Sequence, residues 1–179
     1  MMTRSSQKGS AMIEFMMVGI PLIFVLISIF EISRGMWIYV TLAHAVREAT
    51  RYALVHGNTC TETPNTCAVT VSQIAGRIEN AGVGLLPAQL TVTMASGNRT
   101  IGPASLQSLL ANTTYFPTGC QCTTRDPGGE PGEPVTITAT YPFQSAITMF
   151  WPGVPPQPIP AGGLPAINLP ASSRGRIEF

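Results

Sequence analysis

The chain changes character at Gly9. Residues 1–9 are short, polar and basic, and an apolar run follows. No charged residue occurs from Phe15 to Phe30. With Ala11–Ile13 and Ile32 included, the stretch is about 22 residues, which as a helix rising 1.5 Å per residue measures roughly 33 Å. That is enough to cross the hydrocarbon core of a bilayer. Pro21 lies in mid-run. It would cost a soluble helix about 3 kcal/mol, whereas a membrane helix tolerates it with a kink or a locally loosened turn.

From Ser33 to Val55 the helical period continues and the stretch becomes amphipathic. Met36, Val40, Ala43 and Ala53 recur at multiples of three and four, with Val46 close to the same stripe, and Arg47, Glu48 and Arg51 take the other side. Gly57-Asn58 is a stop signal. One helix is therefore expected from Ser10 to His56, about 70 Å long at 1.5 Å per residue. Arg34, Trp37 and Tyr39 cluster where the apolar run ends, as residues at a lipid–water interface do; core packing is the alternative for Trp37.

Downstream, Thr70-Val71-Ser72-Gln73 resembles a capping box. Val71, Ile74 and Ile78 predict a short amphipathic helix that Asn80-Ala81-Gly82 ends. Leu90–Met94 alternates as a half-buried strand does, and Ser96-Gly97-Asn98 is a turn signal. Residues 100–118 are ambiguous, with one or two helical turns over Ala104–Leu110. The clearest strand is Val135–Tyr141, with Val, Ile, Ala and Tyr on one face and three threonines on the other, closed by Pro142. Gly119–Cys122, Asp126–Pro134 and the Pro/Gly-rich residues 151–165 read as loop. Ile167–Phe179 offers a last strand, at one edge of the sheet. The fold class is α+β: a long N-terminal transmembrane and amphipathic helix, with a small antiparallel sheet packed on its second half. The organisation is a leader over 1–9, a transmembrane helix over 10–33, an amphipathic extension over 34–57 and an extracytoplasmic domain over 58–179.

Composition narrows the function. Only 11% of residues are charged and 45% are hydrophobic, too apolar for disorder and too weakly charged for a nucleic-acid binder. Net charge is +1. Loss of residues 1–9 would remove Arg4 and Lys8, the only lysine, leaving about −1, so a partner held by a basic patch is not expected. Cys60, Cys67, Cys120 and Cys122 all follow the apolar helix. An even number on one side of a membrane suits an oxidising compartment and disulfides. A zinc site is the rival, but the Cys-x6-Cys and Cys-x-Cys spacings fit it poorly. Connectivity stays open, with Cys120–Cys122 the most strained pairing. His44 and His56 are twelve apart and point about 120° apart on a helix. His44 and Glu48 suit a surface pair. Asp126 stands in a Pro-Gly loop, and no nucleophile has a His–acid partner. Phosphate-loop, dinucleotide and zinc-protease motifs are absent from the sequence. No enzyme activity, cofactor or metal is expected. Asn98-Arg-Thr100 and Asn112-Thr-Thr114 match a glycosylation sequon, a pattern that arises readily by chance.

Two residues remain unexplained. Glu14 stands just inside the apolar run, where a carboxylate is costly and marks function. Gly9 stands five residues before it. Glycine, four small or apolar residues, then Glu and an aromatic form the pattern that a prepilin peptidase cuts. Together, Gly9-Ser10-Ala11-Met12-Ile13-Glu14-Phe15, Pro21, Glu31 and Ala45–Ala53 resemble the TadE-like family of bacterial pseudopilins over roughly residues 9–56. Val135–Phe143 and Arg174–Glu178 are more loosely similar to that family's sheet segments. The family's usual glycine near Glu48 is missing.

The resemblance implies a minor pilin or pseudopilin-like component of a tight-adherence (Tad) type IVc pilus or a related secretion apparatus. Cleavage would fall between Gly9 and Ser10, and Glu14 would pair with an N-terminal amine during assembly. The partners implied are the inner membrane, a prepilin peptidase, other Tad pilins and the pilus assembly platform, with no nucleic acid. The chain would cross the bacterial inner membrane once, N-terminus cytoplasmic and C-terminal domain periplasmic, with association to a pilus and roles in adhesion or secretion. The alternative is a signal-anchored extracytoplasmic binding or enzyme domain that keeps its leader.

Overall fold

The computed structural model describes residues 7–55, 69–97, 99–116, 134–145 and 166–177. Its elements in chain order are α1 (Gln7–Leu54), α2 (Val71–Ala81), β1 (Thr91–Ser96), β2 (Arg99–Ser105), α3 (Leu106–Leu110), β3 (Pro134–Gln144) and β4 (Ala166–Arg176). The chain divides into two compact units: Met1–Met36 with Gln144–Pro165, and Trp37–Phe143 with Ala166–Phe179.

The second unit is α+β. Its four strands form one antiparallel sheet in the order β2-β1-β3-β4. Thr91 faces Thr140, Thr93 faces Thr138 and Ala95 faces Thr136, which puts Val92, Met94, Ile137 and Ala139 on the opposite, buried face. The period-two alternation expected for β1 and β3 is what places these residues inward. The buried set is one core: Leu42, Ala45, Val46, Ala49 and Ala53 of α1, Val71, Ile74 and Ile78 of α2, Leu106 and Leu109 of α3, and the inward positions of the strands. Phe116, just beyond α3, is its largest fully buried side chain.

α2 starts as its sequence predicts. The Thr70 hydroxyl accepts from Gln73 N–H, and Gln73 Oε1 accepts from Thr70 N–H at 3.1 Å, a complete capping box. At its other end Gly82 N–H donates to Ile78 O at 2.8 Å. The ambiguous stretch after Gly97 resolves into a strand followed by one helical turn. The turn is capped by Ser105, whose hydroxyl accepts from Ser108 N–H. Pairing of β1 with β2 slips between Val92 and Met94, so that Gly102 and Pro103 together oppose Thr93. Gly102 has φ +97°, and a Cβ there would lie 2.5 Å from Val92 O. Glycine is what lets this bulge form.

Three expectations are corrected. The buried stripe of α1 is Leu42, Ala45, Val46, Ala49, Thr50 and Ala53. Val46 and Ala53 are as expected and Ala43 is half-buried, but Met36 and Val40 are each 59% exposed. Most residues of the buried stripe are small, so residue hydrophobicity alone points to the wrong side. Thr50 fits this stripe because its hydroxyl donates to Val46 O at 2.8 Å, which removes the cost of burying it. Pro142 does not close β3, which continues to Gln144. β1 begins opposite Thr140, at Thr91, so Pro142 lies beyond that pairing and has no ladder bond to give on that side. α1 begins at Gln7 and ends at Leu54 instead of running from Ser10 to His56. Gly57-Asn58 lies outside the described residues.

Candidate functional site

The candidate site is the N-terminal part of α1. Pro21 sits within it and the helix continues through that position. From Met12 to Ile32 nearly every large apolar side chain is exposed, on all sides of the helix: Phe15 and Met17 are 78% exposed and Phe30 75%. A helix that is apolar all round needs lipid or protein around it. Over Met12–Leu54, α1 is long and apolar enough to cross a membrane. Hydroxyls in this part are satisfied locally: Ser28 donates to Phe24 O and Ser33 to Ile29 O, each at 2.8 Å.

Gly9 and Ser10 lie within the first turns of α1, and Glu14 follows about one turn after Ser10. Glu14 is exposed among apolar neighbours. Near the other end of the apolar run, Arg34 pairs with Glu31 at 3.6 Å and donates a hydrogen bond to Gln144 O. Glu31 is the more enclosed partner, its side chain 13% exposed against 51% for Arg34. The i, i+3 spacing of these two residues was the available signal for their pairing. The link from Arg34 to Gln144, 110 residues away, has no local signal. Trp37 is 67% exposed and Tyr39 45%, so Trp37 is not a core residue. His44 and Glu48 are both exposed. Cys60, Cys67, Cys120 and Cys122 lie outside the described residues. Among the described residues no group of His, Cys, Asp or Glu side chains is placed to hold a metal ion.

The position of Gly9, Glu14 and the exposed apolar length on one uninterrupted helix is what the sequence comparison bears on. Residues 9–51 match the family model for TadE-like protein. The TadE-like segment begins at Gly9, contains Glu14, Pro21 and the Glu31–Arg34 pair, and ends within the buried Ala45–Ala53 stripe. It thus joins the part of α1 that suggests membrane anchoring to the part that enters the core of the second unit. No curated protein and no solved structure matches the chain.

Proposed function

We propose that the chain is a minor pilin or pseudopilin-like structural component of a Tad pilus or related secretion apparatus, with no catalytic role of its own. It inserts once in the inner membrane with its N-terminus cytoplasmic, is cut between Gly9 and Ser10 by a prepilin peptidase, and joins other pilins on the assembly platform through α1. The observation that carries this reading is the extent of the TadE-like segment, which covers both Gly9 and Glu14 together with the exposed apolar length. After the cut, Glu14 is the fifth residue of the mature chain. A lone carboxylate at the edge of the hydrocarbon costs on the order of 2–3 kcal/mol, and pairing with an ammonium lowers that cost. The amine of one subunit meeting Glu14 of the next would set axial register.

One observation favours the rival, an anchored domain that keeps its leader. The Gly9–Ser10 peptide is helical, and a protease needs it extended. The test is the N-terminal residue and mass of protein extracted from membranes of a host that carries the peptidase. A chain starting at Ser10 is expected. Retention of Met1 or Met2 would make the rival correct.

A further inference from the structure

On the two central strands, the face of the sheet turned away from the core is mostly short hydroxyl side chains. Thr91 and Thr140 are cross-strand partners there, as are Thr93 and Thr138. The row continues onto β4, where the Ser172 and Thr138 hydroxyls are 3.3 Å apart. This contact fixes the facing of β4. Gly175 confirms it from the other side: a Cβ there would collide with the Leu54 side chain of α1, so Gly175 faces the core. Arg174 and Arg176, which alternate with it, share the outer face with Ser172, and both are exposed. Along the strand they stand about 6.8 Å apart. Among the described residues the carboxylates are Glu14, Glu31, Glu48 and Glu79, all on helices, so the described part of this face carries cationic and hydroxyl groups and no anionic ones.

We infer that this face binds an acidic polysaccharide, a polyuronate-type chain lying along β4 and β3. Hydroxyls both donate to and accept from sugar hydroxyls. Guanidinium groups engage carboxylates in paired hydrogen bonds, and two of them at a fixed spacing read a chain that carries acid groups at intervals. The mature chain, without its leader, has a net charge near −1, so binding depends on these two arginines and not on a general positive field. An acidic peptide would find few apolar anchors here, since the described positions of this face hold Thr, Ser, Asn and Arg with Ala95, Pro142 and Pro170 and no aromatic side chain. The inference rests on the extracytoplasmic placement proposed above.

The test uses the full chain in zwitterionic detergent, with alginate as probe, size-matched neutral dextran as control and single-stranded DNA as an unrelated polyanion. Alginate is expected to bind, to weaken as salt rises, and to lose about tenfold or more in affinity in the Arg174→Gln/Arg176→Gln protein. Thr138→Val, which keeps both arginines, is expected to weaken alginate binding by a smaller factor. Thermal melting of each variant establishes that it is folded; both arginines are exposed, so an unchanged melt is expected. Absence of alginate binding, equal binding of dextran, or full affinity in the double arginine variant overturns the inference. Equal binding of DNA does so as well, because it reduces the face to a general polyanion surface. None of these readouts depends on cleavage at Gly9, so this inference and the proposed function fail separately.

Discussion

The guanidinium carbon of Arg77 lies 4.5 Å from the centroid of the Tyr52 ring, so α2 is fastened to α1 by a cation over an aromatic face. Tyr52 is half-buried and Arg77 exposed. Contacts of this kind at exposed sites contribute about 0.5–1 kcal/mol. A double-mutant cycle with Tyr52→Leu and Arg77→Gln, followed by chemical denaturation, is expected to return a coupling energy in that range. A coupling near zero would show the stacking to be incidental.

Gly175 and Leu54 give a sharper test of the packing of β4. A Cβ at 175 would run into both methyls of Leu54. Gly175→Ala is therefore expected to destabilise the fold by about 1 kcal/mol, the cost of turning the half-buried Leu54 side chain aside. Leu54→Ala should relieve much of that loss in the double variant, because it vacates the space the new methyl needs. If the two losses simply add, the residues do not touch.

The stripe Ala45–Ala49–Ala53 lies wholly inside the folded unit. Each of these alanines is fully buried. Ala49→Leu is expected to cost about 1–3 kcal/mol, while Val40→Ala, on the exposed side, should change stability by less than about 0.5 kcal/mol. Thermal or urea denaturation of the two variants distinguishes them. Equal losses would restore the stripe through Met36 and Val40 that residue hydrophobicity suggests.

Glu14→Ala is expected to leave insertion and cleavage after Gly9 nearly intact and to abolish or strongly reduce incorporation into the assembled machine. Glu31→Gln should be tolerated better, since Arg34 also holds Gln144 O and keeps that link. Co-purification with pilus partners measures both. Wild-type recovery of Glu14→Ala protein would reduce Glu14 to an interfacial residue.

The four cysteines are expected to be oxidised in the mature protein. A bridge between the 60–67 and 120–122 segments would close roughly 50–60 residues and contribute about 4 kcal/mol on the chain-entropy model. Non-reducing mass spectrometry that finds four free thiols would refute this and revive a metal site.

Local chemistry was legible in the sequence wherever it is self-contained. The Thr70/Gln73 capping box and the alternation of Val135–Tyr141 need no distant partner, and both appear as read. So do the strand through Thr91–Met94 and the long apolar helix. The sequence misled where a distant surface decides. Leu42 and the alanines face inward because the rest of the folded unit covers that side, while the larger Met36 and Val40 face outward. Residues 99–105 became a strand only by pairing with β1, whose register tolerates Gly102 and Pro103. Of the candidate site, the apolar run was plain from the sequence alone, while the roles expected of Gly9 and Glu14 rest on the family resemblance. The hold of Arg34 on Gln144 was not, since it joins residues far apart in the chain.

The bulge at Gly102–Pro103 also bears on how copies of this protein can meet. β2 and β4 are the outer strands, and each has a proline in its backbone, Pro103 and Pro170. A proline cannot donate to an added strand, so both edges of the sheet resist continuation into a neighbouring copy. An open sheet edge otherwise invites pairing with a strand of another chain. With a proline in each outer strand, the four-stranded sheet is self-limiting.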